Sequence, residues 1–483
     1  MHHSFLRLRR APVAVAVAGL LTAAWAAEPP SAHASGFTTA EFGSDQGNPA
    51  LGNVYSIYFN PGALAGMQGT MITADGVIAI RSVEYDRSTS ALSPSDPSML
   101  TNQTYVQANT GKATLTNVLA APFVGFATDF GGTPFRLGVA GYVPFGGQVH
   151  WGKNNAFAGN MTVPGAYDGP QRWDSISTNL SSLYGTVAGA YRFERLHLGV
   201  GANFSVVYTT LVDDRAKNVD GSDDIFSPNG TNKEGRSLVD VSGVQVAASL
   251  GVWWQPLEAL RLGVSYTSAP NFGTMRLSGT FQAQPGGVSA VTAPANGDLL
   301  QAYPDIIRLG GAYHVTPQLE VRLDGNWTRW SNFKNQCVVF PGKDCTVDAN
   351  GNDTSMTSPN VVPGGNLPRN FKDTVKVRGG VGYWVLPNTE AFGSIAVETP
   401  PVSSRYIDAL VFDSTRLYGT LGARHMFGDH FGAMLAATYV YLLPMEVDDS
   451  QLNTFQGVSK GPSANGHYSG SIVLFDVSAS YKF

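Results

Sequence analysis

"LHLGVGANFSVVY", residues Leu196 to Tyr208, alternates without a break: Leu196, Leu198, Val200, Ala202, Phe204, Val206 and Tyr208 on one face, His197, Gly199, Gly201, Asn203, Ser205 and Val207 on the other. A period of two identifies a strand, and one sustained over this length, apolar on one side and small or polar on the other, is the pattern of a strand between lipid and a polar lumen. The same alternation returns in SSLYGTVAGAYRF, LRLGVSYT, LEVRLDGNW, TVKVRGGVGYWV and RLYGTLGARHMF. Short links such as RFERLH, QPLEALR, HVTPQLE and FGDHF alternate with long polar loops rich in Gly, Asn, Asp and Ser. Tight turns at one end and long loops at the other are the arrangement of an outer-membrane barrel.

Strand candidates fall at 69–82, 117–130, 135–146, 178–193, 196–212, 239–255, 260–282, 299–315, 319–333, 371–386, 391–405, 414–427, 431–447 and 470–483. The expected fold is therefore all-β: a transmembrane antiparallel β-barrel of about fourteen strands, an even number as single-chain bacterial barrels have. A soluble sandwich is the alternative for alternating strands, but its strands are usually shorter.

Composition agrees with this class. The chain has 483 residues with 55 Gly, 25 Phe and 19 Tyr, 14% charged residues and a net charge of −5. No basic surplus points to nucleic acid. Arg7, Arg9 and Arg10 precede an apolar run from Ala11 to Ala27, and Ala32-His33-Ala34 follows as a small-x-small cleavage pattern. Residues 1–34 thus read as a secretory signal peptide rather than a membrane anchor, since the run is short for a span. The two cysteines, Cys337 and Cys345, lie in one polar loop, where an exported protein is expected to form a small disulfide. A two-cysteine metal site lacks partner ligands, so no metal or other cofactor is expected. In SIVLFDVSASYKF, alternating apolar and aromatic positions end on Phe483, which looks like the signal read by the barrel-assembly machinery.

Between the signal peptide and the first strand lies residues 35–66, turn-rich and weakly charged yet carrying Phe37, Phe42, Tyr55, Tyr58 and Phe59. A fourteen-stranded lumen admits water unless filled, and this segment suits a compact plug better than a disordered lead-in. The domain plan is then a hatch at 35–66 and a barrel with long extracellular loops at 67–483. Inside the third strand, Pro144 lacks a ladder donor, and Gly146 and Gly147 weaken pairing further. A local break there, or a Pro that merely ends the strand, are both open. By alternation Arg136, Arg308, Arg322, Lys376, Arg378, Arg416 and Arg424 point inward with Glu320, Asp324 and Glu398, an expected lumen network of ion pairs. Trp327 and Trp330 are assigned to the interfacial girdle.

Ser35-Gly36-Phe37, Glu41-Phe42-Gly43 and Asn60-Pro61-Gly62 resemble the N-terminal hatch of the outer-membrane long-chain fatty-acid and hydrocarbon transporters of the FadL/TodX type, with Gly62 in place of that family's Ala. The similarity continues in Tyr142 to Gly147, Tyr303-Pro304-Asp305, Asn326 to Phe333, Asn370 to Asp373, Glu398 to Val402 and Phe412 to Arg416. The resemblance implies passive uptake of a hydrophobic small molecule through an internal apolar pocket and a lateral opening in the wall. Pro144, Gly146 and Gly147 mark the opening, Asn60, Pro61 and Gly62 the hatch motif, and Phe37, Arg369, Lys372 and Arg378 the candidate ligand contacts. It also implies outer-membrane lipid and lipopolysaccharide as surroundings and a monomeric barrel. A general porin is one rival. An outer-membrane hydrolase is the other, but His197, His314, His425 and His430 sit beside expected periplasmic turns with no nucleophile at matching height, so no enzyme is expected.

Overall fold

The computed structural model describes residues 41–218, 220–286, 292–348, 353–356, 358–452 and 461–483. The expected signal peptide, Phe37 and the first residues of the expected hatch lie outside them. Strands β1 (Thr70–Arg87), β2 (Gly111–Thr128), β3 (Phe135–His150), β4 (Ser177–Phe193), β5 (Leu198–Ala216) and β6 (Arg236–Leu257) form an antiparallel run. They are followed by β7 (Leu260–Thr267), β8 (Thr274–Gln284), β9 (Ala295–Ala302), β10 (Ile306–His314), β11 (Leu319–Thr328), β12 (Asn335–Val339), β13 (Val361–Pro368) and β14 (Thr374–Leu386). The last four are β15 (Thr389–Glu398), β16 (Arg416–Phe427), β17 (Phe431–Val447) and β18 (Gly466–Lys482), and β18 pairs with β1 to close the sheet.

The eighteen segments make a closed fourteen-strand barrel because β7 with β8, β9 with β10, β11 with β12, and β13 with β14 each continue one wall strand. β6, for example, pairs with β7 through Ser249↔Thr267 and with β8 through Ser242↔Ser278. The expected strands 260–282 and 299–315 are therefore interrupted, at Ser268 to Gly273 and at Tyr303-Pro304-Asp305. Proline supplies the reason at both breaks, Pro270 and Pro304, since neither donates to a ladder. The expected strands 391–405 and 371–386 are shorter, ending at Glu398 and beginning at Thr374, whereas β1 and β2 are longer than expected.

Lipid-facing and lumen-facing positions separate as the alternation requires. On β5, Val200, Phe204, Val206 and Tyr208 are exposed while Asn203, Ser205 and Thr209 are buried toward the lumen. Trp327, 37% exposed, lies on the outer face. Trp330, by contrast, is 3% exposed and packs inside against Phe145 and Phe371, so its assignment to the girdle is corrected. The chain leaves β11 at Thr328 and makes a 3-10 turn over Trp330–Asn332, which ends the period-two register on which the assignment rested.

Candidate functional site

The lumen is occupied by residues 41–66. Their helical turns, Ser56–Phe59 and Pro61–Gly66, bury Ile57, Tyr58 and Leu64, and Phe42 ahead of them is buried as well. Phe42 contacts Phe123 of β2 and Tyr142 of β3, with ring centroids 4.9 and 5.6 Å apart, which joins this segment to the wall through an aromatic cluster. Asn60 donates from Nδ2 to the carbonyl oxygens of Pro49 (2.7 Å) and Val252 (3.0 Å), while its Oδ1 accepts from Gly62 N. One side chain thus ties the segment to itself and to β6. Pro61, at the start of its helical turn, needs no donor there.

Gly62 in place of Ala has a steric explanation. A Cβ at Gly62 would collide with the backbone carbonyl of Gly251 on β6, and a Cβ at Gly251 would strike Asn60 Oδ1. Both residues are glycine because two backbones meet at this point.

Ion pairs and hydrogen bonds join the segment to the opposite wall, which carries ion pairs of its own. Lys376 pairs with Glu41; Arg378 donates from Nε to Asp324 (2.8 Å) and from Nη1 to the carbonyl of Ser44 (3.0 Å). Arg424 bonds Gln46 at 3.0 Å and also pairs with Glu390, which Arg322 shares. Arg416 lies between Glu398 (3.5 Å) and Asp413. Two expected members do not fit this pattern. Arg136 bonds backbone carbonyls of Met67 and Thr133 instead of a carboxylate, because it sits over the short-turn rim where the chain leaves residue 67. Arg308 donates to Thr267 Oγ1 (2.8 Å) and lies over the rings of Tyr58 and Phe59, with no carboxylate in reach among the described residues.

Of the candidate ligand contacts, Arg378 is held by the hatch and Asp324. Arg369 is fully buried and paired with Asp408 at 2.6 Å, and Lys372 is exposed. These three are not brought together, and Phe37 lies outside the described residues.

The third strand is irregular where Pro144 lies. The β2–β3 ladder runs from Thr128↔Leu137 to Phe123↔Tyr142 and ends there. From Phe145 to His150 the β3 partners are on β4, after a register shift between Tyr142 and Phe145. Alternation also lapses: Tyr142, Val143, Pro144, Phe145 and Gly146 are buried in succession, so this piece of strand bends into the lumen. The two strands meet again farther out, where Asn117 Nδ2 donates to Gln148 O (2.9 Å) and Gly152 N to Thr114 O (2.9 Å). Pro122 borders the interruption from β2, so a proline stands on each side of it, and neither carries an N–H.

Just inside this interruption is an aromatic cluster: Phe145 lies 4.7 Å from Tyr303 and 6.3 Å from Trp330, and Phe371 lies 5.8 Å from Trp330 and 5.0 Å from Phe333. The members come from four separate stretches of chain. Alternation assigns each residue a face but cannot show which faces meet, so Pro122 and this cluster were not legible as a group. The cluster's one shared signal was membership of the short aromatic stretches YVPFGG, YPD, NWTRWSNF and NFKD, none of which contains Pro122.

The family profile described as "Outer membrane protein transport protein (OMPP1/FadL/TodX)" matches residues 20–483. An outer membrane protein of Neisseria meningitidis serogroup B is 21% identical over 487 residues, covering 96% of this chain and 97% of that one. Among solved structures, a Pseudomonas aeruginosa FadL homologue superposes with a TM-score of 0.71 at 16% identity, over 94% of this chain and 100% of that chain. The Pseudomonas putida toluene transporter TodX gives 0.61 at 15% identity, over 93% and 98%. At such identities the structural likeness establishes the shared fold.

Proposed function

This chain belongs to the outer membrane transport protein family of OMPP1, FadL and TodX, and we propose that it takes up hydrophobic small molecules, releasing them sideways through the interruption between β2 and β3. The single observation that carries this reading is the loss of β2–β3 pairing beyond Phe123↔Tyr142, with the Phe145–Tyr303–Trp330–Phe371 cluster directly behind it. An apolar solute gains by leaving water for such a cluster, and gains again by passing into lipid, so a lateral route keeps it out of the aqueous compartments throughout. The segment 41–66 supports the same reading as a plug: its buried aromatic side chains and its ion pairs and hydrogen bonds to β11, β14 and β16 close the axial path. An open porin would need that path clear.

The test is a pair of cysteines, one at Ala120 or Ala121 on β2 and one at Gly146 on β3, in a variant lacking the native pair. Formation of the cross-link should lower uptake of oleate and of toluene by tenfold or more, and reductant should restore it. Undiminished uptake in the cross-linked barrel would require an axial route past the hatch.

A further inference from the structure

Resting on that transport reading, we infer that Arg308 is the docking point for the carboxylate of an amphipathic cargo, so that the protein favours apolar acids over neutral compounds of the same chain length. Arg308, on β10, is 2% exposed and borders a cavity in the lumen beside the hatch. Every other cation on that border is matched: Lys376 by Glu41, Arg378 by Asp324, and Arg416 by Glu398 and Asp413. Arg308 has neutral neighbours alone among the described residues: Thr267 Oγ1 at 2.8 Å, and the rings of Tyr58 and Phe59 with centroids 4.4 and 5.8 Å away. Ser35 to Ala40, the stretch just ahead of Glu41, contains no acidic residue that could serve instead. Arg308 is therefore the one cation of that border with no carboxylate partner among the described residues.

A guanidinium taken out of water without a counter-ion is costly. Cation–π contact offsets part of that cost, but it leaves the guanidinium edge without the in-plane acceptors that a carboxylate supplies bidentately. A carboxylate arriving with the cargo completes the site. The cavity offers about 60 Å³ of free space, enough for a few waters or a head group and too little for a long chain. The chain therefore has to lie elsewhere, and the neighbouring rings indicate where. Tyr58, under Arg308, is 5.1 Å from Tyr142, the last β3 residue paired with β2. A head group at Arg308 is accordingly two rings away from the wall interruption, and an attached chain can extend toward the Phe145 cluster.

Binding of oleate and of oleyl alcohol to the full-length barrel in lipid nanodiscs, at pH 8, tests the assignment. Arg308→Gln should weaken oleate at least tenfold and leave oleyl alcohol unchanged, while Arg308→Lys should keep part of the oleate affinity. Thr267→Asp, which puts a carboxylate beside the guanidinium, should also weaken oleate selectively and does not remove the buried cation. Heat-modifiable electrophoretic mobility checks that each variant is a folded barrel. Oleate affinity unchanged in folded Arg308→Gln and Thr267→Asp, or oleate and the alcohol weakened equally, overturns the role of Arg308 while leaving transport standing. Failure of the wild-type protein to bind or take up either compound would remove both readings.

Discussion

Gly62 and Gly251 face each other across the line where the hatch motif meets β6, and neither tolerates a Cβ. Replacing Gly62 by Val is expected to destabilise the seated hatch by about 1–3 kcal/mol, the usual range for overpacking, without touching the wall. Increased single-channel conductance with unchanged heat-modifiability is the expected result. Asp174, in the loop between β3 and β4, works at the same scale. Its Oδ2 accepts from Ala409 N (3.1 Å), stitching that loop to the one between β15 and β16. Burial first, then the neighbouring Asp408 carboxylate, raise its pKa to about 7, against the weaker opposing pull of the Ala409 N–H and of Arg87 and Arg215. A carboxyl raised in the closed loops but ordinary in open ones stabilises the closed form most below about pH 4, and this contribution is lost as pH rises through about 7. The protection of the Ala409 N–H, its exchange rate corrected for the intrinsic rate at the same pH, should therefore be greater at pH 5 than at pH 8, changing by at most about tenfold per pH unit, and Asp174→Asn should flatten the difference.

At the scale of elements, β3 combines two behaviours in one strand. From Leu137 to Tyr142 it is an ordinary wall strand with partners on both sides, and from Phe145 outward its ladder continues on β4 alone. Pro144→Val together with Gly146→Val restores a donor and two β-branched side chains, so pairing with β2 should extend outward and uptake of apolar substrates should fall several-fold. Uptake at the wild-type rate by a correctly inserted variant would detach the break from function. The segment β12 is a different case. Cys337 is joined to Cys345, closing a small loop outside the wall, and β12 is also held by ladders to β9 and β13. Its loss through Cys337→Ala with Cys345→Ala should cost about 2–3 kcal/mol locally and leave the barrel intact. Faster proteolysis within residues 340–360, with unchanged barrel mobility on gels, is the expected reading.

For the whole molecule, the wall and its contents follow different rules. Fourteen strands close a ring through β1 and β18 and leave a lumen too wide for wall side chains to fill. The described part of the hatch fills it with Phe42, Ile57, Tyr58 and Leu64 and is tied down by Arg378, Lys376 and Arg424. Deletion of residues 35–66 should therefore raise ion conductance sharply. A deletion barrel that still conducts almost nothing would mean that the extracellular loops close the lumen unaided.

Barrel class and strand number were determined by sequence, because each depends on a period of two and on turn chemistry, which are local. Pro144 was likewise legible as a weak point, since the missing donor belongs to the residue itself. What only tertiary structure decided was partnership. Arg369 and Arg378 carry the same charge as Arg308, yet Asp408 and Asp324 neutralise the first two and no carboxylate of the described residues reaches the third. Trp330 left the wall because its strand ended two residues earlier. Pro122 and Pro144 came to face one interruption through β2–β3 pairing, and a hatch motif met Gly251 through closure of the ring. These are contacts between residues far apart in the chain. Alternation assigns each one a face, and only the closed barrel, with a segment threaded inside it, determines what that face meets.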